Sequence, residues 1–212
     1  RCSNWRLQWP AISAKRDNRR MPKIVGHTVA ENRDMRQTAL LNAAAEIAKE
    51  QGIAAVTVGA VAERAGIARS SVYSYFASGA DMIADILVDE LIAMAAHLKD
   101  ATAQTTSEEE AVEAWMRAAL QYVVDGRHAF VRAASNAELP PTRKAQVNGL
   151  HHKLAAPLLR VLAHRGEQES LLLAQQINAV VDVCVRRIEH GADFESEIAA
   201  AKAFIFSGLS RV

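Results

Sequence analysis

The chain has 212 residues and is poor in several residue types, and each scarcity narrows the class of protein. The two cysteines, Cys2 and Cys184, lie far apart in the sequence, which argues against a disulfide framework or a paired cysteine metal site. No segment approaches the roughly 20 uninterrupted apolar residues that a membrane-spanning helix requires. Residues 1–20 are polar and basic, without the apolar core of a secretory signal. These absences predict a cytoplasmic protein with reduced thiols and no membrane span.

Proline and glycine are also scarce, at 5 and 10 residues, and aromatic residues make up only 5% of the chain. Half of the residues are hydrophobic, and alanine recurs in runs. Alanine and leucine favour helices, whereas proline and glycine interrupt them. The apolar periodicity and the capping residues predict an all-α protein with nine helices and no strand. The predicted helices cover about residues 32–52, 57–65, 69–76, 78–98, 107–126, 127–138, 142–164, 167–190 and 194–209.

Charge is unevenly distributed along the chain, although the net charge is only +1. Residues 1–36 carry nine lysines and arginines against three acidic residues, a local net charge of +6. A basic arm beside a near-neutral body is common in nucleic-acid-binding proteins, and it is equally typical of a solvated tail. We expect residues 1–31 to form a basic, disordered N-terminal extension. Met21 followed by Pro22 has the form of a natural start, so part of residues 1–20 is expected to be an upstream extension.

Residues 57–76, TVGAVAERAGIARSSVYSYF, have the pattern of two short helices joined by a tight turn. Ala62 is small where the second helix of the chain crosses the first, and Gly66 permits the positive φ of the turn. Three apolar residues are placed to fill the wedge between the helices, namely Val61, Ile67 and Val72. The spacing predicts a helix-turn-helix, with an ordinary helical hairpin of an all-α protein as the alternative.

This segment closely resembles the DNA-binding domain of the tetracycline-repressor (TetR) family. That family has a first helix ending in Gly, a Thr-capped second helix with Ile-Ala, a Gly-Val-Ser turn and a terminal Leu-Tyr-x-His/Tyr-Phe motif. The corresponding residues here are Leu40-Leu41, Glu46-Ile47, Gly52, Thr57, Val61-Ala62, Gly66-Ile67-Ala68 and Val72-Tyr73-Ser74-Tyr75-Phe76. The resemblance covers about residues 33–87. It implies a DNA-binding domain at 32–78 and an effector-binding and dimerisation domain at 79–212.

The resemblance also implies which residues meet DNA. The recognition helix enters the major groove with its N-terminal residues nearest the base edges. Arg69 at its start is expected to donate either to guanine or to a phosphate. Thr57 and the amides that follow it can hold a phosphate at a helix N-terminus. The predicted DNA-binding residues are Arg36, Thr57, Arg69, Ser70, Ser71, Tyr73, Ser74 and Tyr75.

Two positions depart from the family pattern. The family usually has Ser where this chain has Ala68, so the recognition helix is expected to lack its usual side-chain cap. The family also favours Lys, near the start of the fourth helix, where this chain has Gly79. Both departures predict weaker contacts with the DNA backbone, with compensation by the basic arm.

The last two predicted helices carry apolar stripes that are wide for a single core. In the helix that starts at Glu167, one stripe comprises Leu173, Ile177, Val180, Val181, Cys184 and Ile188, and a second comprises Leu172, Ala179 and Val183. The last helix has Phe194, Ile198, Ala201, Ile205 and Leu209. The resemblance implies that these two helices pair across a two-fold axis in a homodimer. Packing within the monomer core is the alternative.

The residues between these elements suggest a pocket for a small-molecule effector. Large aromatic or polarisable side chains with a few polar groups are typical of an apolar ligand site, although ordinary core packing explains each one singly. Asn178 and Asp182, four residues apart, interrupt an apolar helix and are candidates for contacts with a ligand or a partner subunit. The predicted effector-pocket residues are Trp115, Met116, Tyr122, Phe130, His151, Asn178 and Asp182.

The sequence has no motif for an enzyme, a metal site or a cofactor. Neither HExxH nor CxxC spacing is present, and the adjacent His151 and His152 cannot both point inward on one helix. The expected function is therefore that of a DNA-binding transcriptional regulator, a repressor released from operator DNA by a small-molecule effector. An activator fits the same pattern. The alternative from another class is a helical small-molecule binding or adaptor protein without sequence-specific DNA binding.

Overall fold

The computed structural model of the protein describes residues 29–135 and 137–209. These residues form an all-α fold with nine α-helices and two short 3-10 helices, and none of them lies in a strand. The α-helices are α1 Val29–Gln51, α2 Val58–Ala65, α3 Arg69–Val72, α4 Gly79–Ala101, α5 Glu108–Val124, α6 Arg127–Ser135, α7 Pro141–Leu162, α8 Glu167–Glu189 and α9 Phe194–Leu209. The 3-10 helices are Ile53–Ala55 and Ala163–Arg165.

Side-chain caps set the start of several helices. The Ser78 hydroxyl accepts a hydrogen bond from the Asp81 amide at 3.1 Å and so caps α4, and it also donates to the Asp81 carboxylate at 2.8 Å. Ser107 likewise accepts from the Glu110 amide at 3.1 Å. The Glu110 carboxylate reaches back to the amide of Thr106, and this hydrogen bond lowers its pKa. The helix starts predicted near residues 78 and 107 are therefore confirmed, and a serine side chain caps each helix.

Two predicted helix bounds are wrong. The first helix begins at Val29 rather than at an Asn32 cap, so Asn32 lies inside α1. The third helix ends at Val72 rather than at Phe76, and a turn follows it. Helix-forming residues upstream of Asn32 extend α1, and helix ends are the least sharply encoded part of a sequence. The predicted basic extension lies outside the described residues except for 29–31, which are helical.

The chain divides into two compact units. The first contains the described residues up to Asp89 together with Phe130–Val147, and the second contains Glu90–Ala129 and the described residues from Asn148 onward. Helices α4, α6 and α7 each contribute residues to both units. The predicted division at 78/79 thus differs from the division by contacts, and it stays a prediction about function.

The core of the second unit is built mainly from α5, α7, α8 and α9. Its buried large side chains include Trp115, Met116, Leu120, Leu158 and Leu162. Pro157 lies inside α7 and cannot donate a backbone hydrogen bond, which leaves the helix one bond short. The Trp115 indole N–H supplies a donor next to this point, to the carbonyl of Leu154 at 3.3 Å. No helix among the described residues is both long and apolar enough to cross a membrane.

Candidate nucleic-acid interface

The two-helix corner begins with a capped helix. The Thr57 hydroxyl accepts a hydrogen bond from the Ala60 amide at 3.1 Å and so caps α2, as predicted. Gly66 ends α2 in the left-handed conformation, with φ of 69°. The amide of Ile67 then donates to the carbonyl of Ala62 at 3.0 Å, which closes the helix end. These contacts turn the chain sharply into α3.

A buried wedge fixes the orientation of the corner. Val61 and Val72 are fully buried, and Ala62 and Phe76 are nearly so. Burial of each large side chain of this kind contributes about 1.5–3 kcal/mol. Because Val72 and Phe76 point inward, the other side chains of the segment are left on the outside. The predicted role of Ala62, Val61 and Val72 in the corner agrees with this burial.

Six of the eight predicted DNA-binding residues lie on α3 and in the turn after it. Arg69, Ser70, Ser71, Tyr73 and Ser74 are exposed, and Tyr75 is half-buried. Arg36 on α1 and Thr57 are exposed as well. The turn after α3 is closed by the amides of Ser74, Tyr75 and Phe76, which donate to the carbonyls of Ser71 and Val72 at 2.9–3.2 Å. An exposed polar surface backed by a fixed apolar wedge is what a DNA-reading element requires.

Two arginines on this surface are each paired with a tyrosine. The Arg69 guanidinium carbon lies 5.9 Å from the centroid of the Tyr73 ring, and its Nη2 donates to the Tyr73 hydroxyl at 3.3 Å. The Arg33 guanidinium carbon lies 5.1 Å from the centroid of the Tyr75 ring. Arg33 Nη2 also donates to the carbonyl of Ser74 at 3.3 Å. Sequence reasoning missed Arg33, since no local pattern links residues 41 positions apart.

A second candidate surface lies between α8 and α9. It is a groove of about 910 Å³ with an apolar lining that includes Val180, Val183, Ala200 and Phe204. The first predicted stripe of α8 faces the chain's own core, where Ile177, Val181 and Cys184 are buried. The second stripe does not, because Leu172 and Val183 are largely exposed. Phe204 of α9 is 70% exposed, the highest value among the large hydrophobic side chains of the described residues.

The predicted effector-pocket residues do not form one cluster. Trp115, Met116 and Tyr122 are buried in the second unit, and the Tyr122 hydroxyl is bonded to the buried Glu90. Phe130 is buried and belongs to the first unit. His151, Asn178 and Asp182 are exposed on α7 and α8. Asn178 and Asp182 thus lie on the outer face of α8, and their contact with a ligand or a partner subunit stays a prediction.

The comparisons with known proteins bear on the corner directly. Residues 40–86 match the model of the family described as bacterial regulatory proteins, tetR family. This stretch runs from the last part of α1 through α2 and α3 to the first turns of α4. Residues 40–86 therefore form a segment similar to that of the tetR family.

Solved structures extend the similarity of fold to about four fifths of the chain. The FadR regulator of Bacillus subtilis in complex with stearoyl-CoA superposes with a TM-score of 0.65 at 17% identity, covering 81% of this chain and 98% of that one. A TetR/AcrR regulator of Thermobifida fusca YX-ER1 gives 0.68 at 15% identity, with 82% and 98% covered. At these identities the likeness shows a tetR-like fold and does not by itself carry a function.

The superantigen PfiT has a similar fold, with a TM-score of 0.67 at 19% identity, and the match covers 79% of this chain and 94% of that one. The fold is thus compatible with more than one function, and the decisive feature is the tetR-type corner itself. A comparison of the sequence with curated proteins finds no match.

The two departures of the tetR-type segment have visible consequences. Ala68 precedes α3 without a side-chain hydrogen bond, as predicted for a recognition helix that has lost its cap. Gly79 opens α4 directly against the backbone of Val56 and Thr57. A side chain at position 79 would overlap the Val56 carbonyl, so the lysine usual in the family has no room here.

Proposed function

We propose that the protein is a DNA-binding transcriptional regulator that represses its target genes and is released from operator DNA by a small-molecule effector. The observation that carries this proposal is the tetR-type corner, in which a buried wedge presents the polar face of α3 to the outside. The functional division is a DNA-binding domain at 32–78 and an effector-binding and dimerisation domain at 79–212. A repressor of this kind acts in the cytoplasm, where the chromosome lies.

The DNA contacts divide by chemistry. Arg69, Ser70 and Ser71 stand at the start of α3, where a recognition helix comes nearest the base edges. The α2 N-terminus at Thr57 and the hydroxyls of Tyr73 and Tyr75 suit phosphate contacts, as do Arg36 and Ser74. Short serine side chains discriminate weakly between bases, so we expect Arg69 to supply the largest share of direct readout.

The active species is a homodimer formed through α8 and α9. Exposure of Phe204, Val183 and Leu172 to water is unfavourable, and a second copy would bury all three. An interface through the same face of both copies is two-fold symmetric. Two-fold symmetry in turn suits DNA recognition, because two recognition helices must meet successive major grooves about 34 Å apart.

The effector is an apolar or amphipathic small molecule. The interior of the second unit, around Trp115 and Met116, is almost wholly apolar and would take such a ligand after local rearrangement. Tyr122 and Phe130 are further candidate contacts, whereas the exposed His151, Asn178 and Asp182 fit a partner subunit better than this interior. The ligand releases DNA only to the extent that it binds the DNA-free form more tightly.

A gel shift with the DNA upstream of the protein's own gene tests the proposal. The wild-type protein should shift this fragment in the presence of unrelated competitor DNA, and Arg69→Ala should lose most of that affinity. Arg160→Ala is the matched control, since Arg160 is an exposed arginine on α7 far along the chain from the corner. Equal binding by all three proteins, or no shift by the wild type, would favour an adaptor without sequence-specific DNA binding.

Stearoyl-CoA is a suitable first probe for the effector, because a FadR regulator with the same fold binds it. Added to the protein–DNA complex, it should reduce the bound fraction, and its own affinity should fall by the same factor when operator DNA is present. Binding of stearoyl-CoA with no change in DNA affinity would contradict release by this class of ligand.

A further inference from the structure

We propose that Arg33 is a positioning residue of the DNA-reading surface, by which we mean the exposed side chains of residues 69–75. Arg33 holds Tyr75 and the turn at residues 73–75 in the geometry that binds DNA. This inference rests on the proposed function and adds a residue that the corner motif does not contain. Arg33 comes from the start of α1, outside residues 40–86 that match the family model. Its action on DNA is indirect, through Tyr75 and Ser74.

The Arg33 guanidinium makes two kinds of contact, a hydrogen bond and a cation–π contact. Arg33 Nη2 donates a hydrogen bond to the Ser74 carbonyl at 3.3 Å, while the guanidinium carbon lies 5.1 Å from the Tyr75 ring centroid. A planar guanidinium can donate in its plane and stack over a ring at the same time. A lysine ammonium is a point charge and cannot make both contacts with the same geometry.

The segment that Arg33 holds has little stiffness of its own. Helix α3 comprises only Arg69–Val72, and residues 73–75 form a turn after it. One turn of helix is too short to be stable by itself. Phe76 anchors the far side of the turn in the core, and Arg33 fixes its outer side. Without that contact, the Tyr75 ring gains rotational freedom that DNA binding must then remove.

Tyr75 is well placed to contact a DNA phosphate when its ring is held in position. Its ring is half-buried, and its hydroxyl has no hydrogen-bond partner among residues 29–135 and 137–209. A phenol hydroxyl held in place with its donor free is a typical contact for a phosphate oxygen.

Arg64 in the same unit shows the contrasting arrangement. It pairs with Glu50 at 2.7 Å and with Glu46 at 3.6 Å, and these carboxylates raise its pKa. Its charge is thus compensated by ion pairs that link α2 to α1. Among the described residues, Arg33 has no acidic partner within ion-pair distance, and its contacts on this surface are those with the Ser74 carbonyl and the Tyr75 ring. Arg64→Ala is therefore the matched control, because it removes a contact with α1 but leaves the contacts of Arg33 with Ser74 and Tyr75 in place.

The experiment measures affinity by fluorescence anisotropy on an upstream DNA fragment that the wild type binds, at several salt concentrations. The variants are Arg33→Ala, Arg33→Lys, Tyr75→Leu and the Arg33→Ala/Tyr75→Leu double variant, with Arg36→Ala and Arg64→Ala as comparators. We expect Arg33→Ala to weaken binding about 3- to 20-fold, the range of one exposed cation–π contact and one hydrogen bond. Lysine should restore only part of this affinity.

The salt dependence and the double variant separate positioning from direct contact. A positioning residue leaves the slope of log affinity against log salt unchanged, whereas loss of a phosphate contact, as expected for Arg36→Ala, lowers it by about one. The double variant should bind no more weakly than Tyr75→Leu alone. A lowered slope for Arg33→Ala, fully additive losses, or affinity equal to that of the wild type and of Arg64→Ala would each overturn the inference. Failure of the wild type itself to bind would instead overturn the proposed function.

Discussion

Gly79 lies in direct contact with Val56, so close that any side chain at position 79 would overlap the Val56 carbonyl oxygen. The contact joins the first turn of α4 to the residue just before the Thr57 cap of α2. It explains why the lysine that the tetR family favours near the start of this helix is absent, and it makes glycine a structural requirement of the corner.

We therefore expect Gly79→Ala to lower the free energy of unfolding by about 1–3 kcal/mol, the usual cost of overpacking, because the overlapping atom belongs to the backbone and cannot turn away. Thermal or urea unfolding measures this loss. Gly149→Ala is the control, since Gly149 lies within α7 with no atom near its missing Cβ. That change should raise stability by about 0.5–1 kcal/mol. Equal effects of the two changes would contradict the packing at Gly79.

The ion pair between Asp85 on α4 and Arg143 on α7 predicts a pH-dependent contribution to stability. Burial raises the pKa of Asp85, the charge of Asp81 adds to the rise, and Arg143 opposes it. A carboxyl group with a raised folded pKa favours the folded state most below its unfolded pKa, and that contribution is lost as the pH rises through the folded value. Removal of Arg143 raises the folded value further.

Arg143→Met should therefore destabilise the protein more at pH 7 than near pH 4, by about 1–3 kcal/mol at the higher pH. Urea unfolding at both pH values measures the difference. In the Asp85→Asn/Arg143→Met double variant residue 85 no longer titrates, so its loss relative to the wild type should not be larger at pH 7 than near pH 4. A loss for Arg143→Met that does not depend on pH would contradict the prediction.

The exposed Phe204 predicts the effect of a charge on assembly. Phe204→Asp should convert the proposed dimer into a monomer, because a carboxylate cannot be buried in an apolar interface without a partner. Light scattering after size-exclusion chromatography gives the mass of the species. Ile92→Asp is the control, since Ile92 is also exposed but lies on α4. A dimer that survives Phe204→Asp, or one that Ile92→Asp abolishes instead, would place the interface elsewhere.

Cys184 is predicted to react slowly. Burial is the main cause that raises the pKa of its thiol, and the neighbouring Glu197 adds to the rise, so the reactive thiolate is disfavoured at neutral pH. In a Cys2→Ser background, alkylation by iodoacetamide at pH 8 should be slower in the folded than in the unfolded protein, because burial both limits access to the thiol and disfavours the reactive thiolate. The protection comes from within the chain and should persist in Phe204→Asp. Fast alkylation of that variant would contradict burial of the thiol.

The corner at residues 57–76 could be predicted from the sequence because the contacts that form it are local. Thr57, Gly66 and Val72 act through cap, turn and wedge contacts within 20 residues, and these are visible as spacing. Arg33 and Gly79 act through contacts with Ser74, Tyr75 and Val56, which no periodicity encodes. Asn178 and Asp182 lie on the exposed face of α8, and the sequence pattern does not tell whether a ligand or a partner subunit contacts them. The DNA-contact residues and the effector pocket stay predictions.

The central claim is that the polar face of α3 binds duplex DNA, and its salt dependence is the most direct test. Affinity for the upstream fragment should fall linearly on a plot of log affinity against log salt, with a slope near one per phosphate contact, because binding releases the counterions of those phosphates. A dimer that makes several phosphate contacts should therefore give a slope well above one. Affinity that is absent, or that does not change with salt, would contradict the account.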